Sequence, residues 1–509
     1  MSDSHRFRES GAIVLIRGHG STLEVYWVRR GDQVSFMPGF YAFPGGVVGP
    51  GDAALPIDGA PDERDRALLA SAIRETFEEI GVLVASAGRR DAATLAEARE
   101  SLLCGEATFA TLASELGWRF DARELPAAGR WRTPPFSSLR FEAAYFLARC
   151  PEHAEPVIAD AELAAGEWIT PARALEQWQS GDAVFAAPIL STLREIAAGE
   201  DRLAARLALS PERLGDPHRI ELSWGIVLHP MPTRALPPAT HTNAYLIGDR
   251  EMALVDPGSG DPAEIESLCK LIARLGADGR TLTRILLTHA HGDHTGGVAA
   301  MRSRFNIPVF GHAAIADRVA LDGTLADGDV VSLATPGPAW DLRVLHTPGH
   351  ARGHLCFLHE RTGALLSGDH IVGAGTVTID PPEGDMAGYI ASLERLSRLP
   401  IRTLFPAHGS PSGAAQRRIR ALIVHRHERE QRVIDALANS ASSMSDLLAK
   451  AYADVARPLW PYAERSLLAH LLKLEAEGRV VREGDGWRRG NGAGSSDPGK
   501  PSGGPGSTR

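Results

Sequence analysis

Cysteine is nearly absent. The 509-residue chain has four, Cys104, Cys150, Cys269 and Cys356, and no CxxC pair. That excludes a disulfide framework and a cysteine-rich zinc site. Lysine is as scarce. Of 54 basic residues only Lys270, Lys450, Lys473 and Lys500 are lysine. This reads as coding bias, because arginine also dominates unremarkable surface segments. No apolar run approaches the roughly 18 residues that span a bilayer. The first such run, AIVLI, is short enough to be a strand, and the N-terminal MSDSHRFRESGAIVLIRG lacks a signal-peptide layout. A soluble cytoplasmic protein without a membrane partner is the expectation. The net charge of −9 gives no general reason for tight nucleic-acid binding, which leaves only a local basic patch to consider. A hydrophobic content of 44% with 23% charged residues is ordinary for globular protein, and the length suggests two or three domains.

The texture divides the chain. In residues 8–197, GAIVLIRG and LEVYWVRRG read as a strand pair joined around GHGST, ALLASAIRETFEEIG as a helix capped by Gly81, and FEAAYFLAR as a strand. Residues 198–219 read as a helical connector ending in a Gly-Asp-Pro breaker. From 220 to 433 one form recurs: a short apolar strand ending in Gly, Pro, His or Asp, as in MALVDPGSG, RILLTHAHGDH, VLHTPGH, ALLSGDH and TLFPAHGS. Functional groups on loops at strand ends are a common way to build a site. Residues 434–489 suggest helices and a terminal hairpin, a small winged helix, and the Gly/Ser/Pro-rich 490–509 a disordered tail.

Residues 288–297, THAHGDHTGG, set three histidines and an aspartate within six positions. His289 and His291 alternate, so they point the same way on an extended loop. Asp293 and His294 follow at a turn that Gly292 allows. Imidazoles with a carboxylate suit zinc. His350, Asp369 and His408 add further candidates, enough for two metal ions sharing one carboxylate. The ordered set Asp256, His289-x-His291-x-Asp293-His294, His350, Asp369, His408 resembles the metallo-β-lactamase superfamily. The resemblance implies a four-layer αββα sandwich. It assigns His289, His291 and His350 to the first metal, and Asp293, His294 and His408 to the second. Asp369 would bridge, and Asp256 would orient ligands without binding metal. Asp293 also counts as a catalytic carboxylate. His346, His354, His359 and His370 match no ligand position and read as loop or packing residues. Two zinc ions are the expected cofactors, with Mn²⁺ or Fe as alternatives. Such a pair lowers the pKa of a bridging water from ~15.7 toward ~7. The chemistry is therefore hydrolysis of an ester, thioester, lactone, lactam or phosphodiester.

Residues 366–409, with RSLLAHLLKLEAEGRVV at 465–481, resemble the lactamase-like branch that carries a C-terminal winged helix and includes a single-strand endoribonuclease. That implies phosphodiester cleavage as one option. RRIRALIVHRHEREQR at 417–432 is then either an RNA contact or a solvated arginine-rich helix. Thioester hydrolysis of the glyoxalase II kind shares the same metal motif.

A second carboxylate cluster lies in RETFEEIGV, residues 74–82. Glu75, Glu78 and Glu79 share one helix face, a crowding that a hard cation relieves. Arg74 stands one turn before Glu78 to orient the group. The stretch resembles the second half of the Nudix box, G-x5-E-x7-R-E-U-x-E-E-x-G-U, with Thr76 where an aliphatic is usual. The first half departs: regular spacing puts Ala60 and Arg66 at its Gly and Glu, whereas Gly46-x5-Asp52 supplies it with 21 residues before Arg74 instead of seven. With FMPGFYAFPGG upstream, this layout resembles the coenzyme A diphosphatase branch. The resemblance implies an α/β/α sandwich. Glu78 and Glu79 would bind Mg²⁺ or Mn²⁺, Glu75 and Glu79 would be catalytic, and the substrate would be a nucleoside diphosphate or CoA-type diphosphate. The whole chain thus reads as an α/β and α+β multidomain, two-headed hydrolase acting on small molecules such as thioesters and CoA-type diphosphates. The alternative is a lactamase-like endoribonuclease on single-stranded RNA, with a non-catalytic Nudix module that senses a nucleotide or acyl-CoA.

Overall fold

The computed structural model describes residues 7–490 except 153, 160, 161, 210–218, 238 and 338. The N-terminal sheet is built on the strand Arg8–Arg17. It pairs antiparallel with Glu24–Arg30 and parallel with Phe141–Arg149. Side chains alternate across its two faces. Ile13 and Leu15 pack against helix α1 (Glu63–Ile80), whereas Val14 and Ile16 face Trp178, Leu190 and Leu193 on the helices Pro171–Ser180 and Ala187–Ala197. The result is the expected α/β/α sandwich. Helix α1 starts at Asp62, whose carboxylate accepts the Asp65 amide, and stops at Gly81 in the left-handed region, φ 71°.

Two further sheets form the middle of the chain. A seven-stranded sheet runs from Ile220–Ser223 to Gly323–Leu325, and a five-stranded sheet from Val330–Leu333 to Thr403–Pro406. Their inner faces meet through Leu228, Tyr245, Val255, Val344, Phe357 and Phe405. Helices cover both outer faces: Pro262–Ala277 on one side, and α2 (Met386–Ser397) with α3 (Ala415–Ala436) on the other. This is the expected αββα order.

Of the 198–219 connector, the described part holds one short helix, Leu203–Leu207, and its Gly-Asp-Pro end lies outside the described residues. The tail from 491 also lies outside them. Helix α3 runs unbroken through 433–434 and ends in the core of the winged helix, where Val433 packs with Leu447, Leu467 and Trp487. That unit comprises Met444–Ala451, helix α4 (Trp460–Ala476) and the hairpin Val480–Glu483/Gly486–Arg489.

The N-terminal and lactamase-like folds share apolar core. Met37, Phe40, Phe136 and Val184 belong to the same cluster as the inner sheet faces. Backbone also meets backbone: the Gly413 amide donates to the Pro38 carbonyl at 2.8 Å, and the Phe185 amide to the Leu222 carbonyl at 3.3 Å. A Cβ on Gly39 would stand 2.6 Å from Gly413 C, and Gly39 has φ 76°, so only glycine fits there.

The winged helix is fastened to α3 by charge. Glu430 is buried, with Lys473 2.8 Å and Arg479 3.1 Å away. Burial pushes its carboxyl up, but His470 and Lys473 outweigh that and hold it at about 2. Burial pushes His470 down to about 4. Both folded-state values lie below the ordinary ones. His470 therefore contributes stability that is lost as pH falls from about 6.5 to 4, and Glu430 stability that is lost from about 4 to 2. Thermal melts should fall progressively over this range. Glu430→Gln should lower the melting temperature at pH 7 by about 5 °C or more, since it removes the buried carboxylate that ties Lys473 and Arg479 to α3.

Candidate metal centres

The histidine cluster sits where strands of both sheets end. His289, His291, Asp293 and His294 follow Thr281–Leu286, Asp369 follows Ala364–Gly368, and His408 follows Thr403–Pro406. Asp256 follows Glu251–Val255 in the left-handed region, φ 49°. The fold thus brings residues from across 150 positions to one sheet edge.

Three sets of ligand atoms converge to within 4.8 Å of one another: His289, His291, His350; His289, His294, Asp369; and Asp293, His294, His408. In the first, His291 Nδ1 is 2.9 Å from His289 Nε2 and 3.1 Å from His350 Nε2. Around a tetrahedral zinc, ligand nitrogens lie roughly 3.3 Å apart. Asp369 spans the sets with one oxygen each way. Its Oδ1 is 3.5 Å from His294 Nε2 and 3.3 Å from His408 Nε2, and its Oδ2 is 3.6 Å from His350 Nε2. Asp293 Oδ2 is 3.3 Å from His408 Nε2.

The outer ring atoms fix the tautomers. His350 Nδ1–H donates to the Thr378 carbonyl at 3.0 Å, and His408 Nδ1–H to the His241 carbonyl at 2.9 Å. A carbonyl can only accept, so in each ring Nε2 is the nitrogen that faces inward. Asp256 does the same for His294, accepting Nδ1–H at 2.8 Å. It also accepts the Thr288 amide at 2.9 Å and hydroxyl at 2.6 Å. With its proton given to Asp256, the Thr288 oxygen accepts His289 Nδ1–H at 3.0 Å. Asp256 therefore aligns two imidazoles from behind, His294 directly and His289 through Thr288, and is itself a member of none of the three converging sets.

Burial and charge follow from this packing. Burial pushes His289 well below its ordinary value and His350 to about 4, so both are neutral. Burial also opposes charge on His294 and His408, yet Asp369 outweighs it together with Asp256 at His294 and with Asp293 at His408. His294 is held well above the ordinary value and His408 at about 10. The carboxylates demand positive charge at this spot. His294 Nε2 and Asp369 Oδ1 are buried atoms without a hydrogen-bond partner among the described residues. Inward lone pairs, two anions and orphaned ligand atoms are what a divalent pair would satisfy, so the donor set fits two such ions.

The non-ligand histidines separate in role. His346 stacks on His312, and His359 on Trp340 at 3.9 Å. His370 is buried against Tyr389, with both ring nitrogens unpartnered among the described residues. His354 positions the shared carboxylate: the Asp369 amide donates to its Nε2 at 3.1 Å, and its Nδ1 meets Thr347 Oγ1 at 2.9 Å. No spacing in the sequence marks that task.

The glutamate helix builds a second, looser site. Arg74 donates to both oxygens of Asp52, at 2.9 and 3.0 Å, and to Glu75 and Glu78 at 2.9 and 3.0 Å. Despite burial, Asp52 and the two glutamates raise its pKa, so it stays charged. Asp52 therefore meets Arg74 across the insertion. Ala60 and Arg66 lie outside this network. Glu79 is buried and accepts the Gly45 amide at 3.0 Å. Gly46 lies against Glu75 so closely that a Cβ would stand 2.2 Å from Glu75 Cδ. Burial raises Glu75 to about 7 and Glu79 to about 8. Glu75, Glu78 and Glu79 do not converge on one point as the histidine site does; Arg74 sits between Glu75 and Glu78. A hard cation that takes most of its shell from water and phosphate needs no such convergence.

Comparison with known proteins matches three parts of the chain. The metallo-beta-lactamase superfamily model matches residues 237–408, the beta-lactamase associated winged helix domain 443–487, and the NUDT19 Nudix domain 56–196. Lactamase-like protein adaB of Aspergillus niger is 34% identical over 214 residues, 40% of this chain and 61% of that protein. The atrochrysone carboxyl ACP thioesterase of Passalora fulva is 33% identical over 230 residues, 42% and 63%. The chain thus spans about three fifths of the length of these fungal relatives. The beta-lactamase-like protein 2 homolog of Drosophila melanogaster is 31% identical over 257 residues, 47% of this chain and 84% of that protein. Among solved structures, a Nudix hydrolase from Alicyclobacillus acidocaldarius is 32% identical, covering 40% of this chain and 99% of that one, with a TM-score of 0.36.

Asp256→Ala would free two imidazoles at once. Metal affinity at the histidine cluster is expected to fall 10- to 100-fold, read by competition with a chromogenic chelator. An unchanged affinity would remove Asp256 from its orienting role.

Proposed function

We propose, for a chain that belongs to the metallo-β-lactamase superfamily and carries a Nudix domain ahead of that fold, thioester hydrolysis at the histidine cluster and diphosphate hydrolysis at the glutamate helix. The observation that carries the first half is Asp369, whose two oxygens face two separate imidazole sets. His289, His291 and His350 would hold one divalent ion, and Asp293, His294 and His408 the other, with Asp369 shared. When bound, the pair supplies a Lewis acid and water activated at neutral pH. The chain's own residues supply the rest. Asp256, Thr378 and the His241 carbonyl keep the imidazole lone pairs inward, and His354 fixes the shared carboxylate. Asp293, partly exposed at the rim, is placed to accept a proton from the reacting water and to return it to the leaving group. Thioester is the favoured bond because a relative of this fold bears a thioesterase name. A CoA-type diphosphate suits the Nudix side, where Arg74 and Asp52 hold Glu75 and Glu78 in place for Mg²⁺ or Mn²⁺.

The phosphodiester reading has less support. Its basic stretch is largely engaged within the protein: Arg426 and Arg429 are buried, and the exposed Arg417 and Arg432 are paired. Arg417 reaches Gln33 and the Asp32 carbonyl, Arg418 the Val372 carbonyl and Arg426 the Val377 carbonyl, while Arg429 and Arg432 pair with Asp454. Few of these guanidiniums remain for a phosphate backbone.

Wild type, His291→Ala and Glu79→Gln would be compared on S-lactoylglutathione, acyl-CoA, coenzyme A and single-stranded RNA, with Zn²⁺, Mn²⁺ or Mg²⁺. Thioester hydrolysis should drop by 10²-fold or more in His291→Ala alone. Release of adenosine 3′,5′-bisphosphate from coenzyme A should be lost in Glu79→Gln alone. RNA cleavage sensitive to His291→Ala, with inert thioesters, would replace this reading by a nuclease.

A further inference from the structure

Segment 377–381 touches both the histidine cluster and the winged helix. The Thr378 carbonyl anchors His350 Nδ1–H at 3.0 Å. The amide of the same peptide unit belongs to Ile379, and it donates to Ser466 Oγ of α4 at 3.4 Å. A trans peptide is planar, with its C=O and N–H pointing opposite ways. Holding the amide at one end therefore aims the carbonyl at the other. The preceding unit is held as well: the Val377 carbonyl accepts Arg426 Nη2 of α3 at 2.6 Å. Beyond it, Arg465 of α4 donates to Asp380 at 2.5 Å and to the Pro381 carbonyl at 2.7 Å. Val377, Ile379, Ser466 and Arg426 are all buried, so water cannot replace these bonds readily. Ala469, one turn along α4 from Ser466, packs in the same apolar cluster as Ile379 and Tyr389.

We propose that the winged helix is a clamp on the metal site: through Ser466 and Arg465, together with Arg426 of α3, it fixes the Thr378 peptide, and through that peptide the ring of His350. This rests on the reading of His350 as a metal ligand. Ser466, Arg465 and Arg426 are positioning residues, since they touch neither a metal ligand nor a reacting atom. The winged helix then works by docking, and the face of α4 that carries Ser466 and Ala469 is occupied by the lactamase-like fold.

The test uses the full chain and metal binding, independent of any substrate. The variants are Ser466→Ala combined with Arg465→Met, Arg426→Met, and His350→Ala as reference. Zinc affinity is read by chelator competition, and the Co²⁺-substituted protein by its visible absorption. The clamp predicts that the Ser466/Arg465 variant keeps its circular dichroism but binds one of two equivalents at least 10-fold more weakly, with a cobalt spectrum shifted toward that of His350→Ala. Arg426→Met should act in the same direction. Wild-type affinity and spectrum in both positioning variants would overturn the clamp while leaving His350 as a ligand. If His350→Ala itself retains both equivalents, the ligand reading is what fails.

Discussion

Lone pairs do not converge on one another inside a protein without positive charge between them. Here His289, His291, His294, His350 and His408 turn inward ring nitrogens toward a shared space, alongside Asp293 and Asp369. Four of the five rings have their outer nitrogen committed to an acceptor. Their tautomers cannot flip to relieve the crowding. In the absence of a cation, His294 and His408 hold the protons that the two carboxylates require. Everything around the cluster serves this geometry: strand ends from two sheets, the left-handed turn at Asp256, and the buried His354 behind Asp369.

The same logic recurs, less tightly, in the Nudix domain. There the like charges of Glu75 and Glu78 are balanced by Arg74, which Asp52 holds from the other side. The loop that carries Gly45 and Gly46 to these glutamates also carries Pro38 and Gly39 to Gly413, five residues beyond His408. One short segment thus touches the second fold at one end and the glutamate site at the other. The two folds share apolar core at this seam, so they are packed as one body rather than joined by a loose linker.

Much of the candidate site was legible in the sequence because its members recur in short motifs at strand ends. His289 to His294 fall within six residues, and the helix carrying Glu75, Glu78 and Glu79 announces itself by its spacing. The layered order of both sandwiches was an implication of the family resemblances that these motifs carry. The supporting groups were not legible. Thr378 acts through a carbonyl, which every residue has, and Ser466 through a hydroxyl nearly ninety positions away. His354 looked like a packing residue because its task, accepting the Asp369 amide, exists only once two strands are paired. The arginines of 417–432 were ambiguous for the opposite reason. Their charge is visible in sequence, but their partners are set by tertiary packing, which buries Arg426 and Arg429 and pairs Arg417 and Arg432 at the surface. Asp52 was reachable only by allowing an insertion, and its bidentate contact with Arg74 is the tertiary feature that sequence spacing hides.

The most direct measurement is the metal content of the full chain purified without chelators, set against Asp369→Ala. Elemental analysis should find two equivalents of zinc, manganese or iron in the wild type beyond any exchangeable magnesium. Removing the carboxylate that faces both imidazole sets should leave one equivalent or fewer. A wild-type protein that takes up no transition metal, or an Asp369→Ala variant that keeps both equivalents at full affinity, would contradict a shared dinuclear centre.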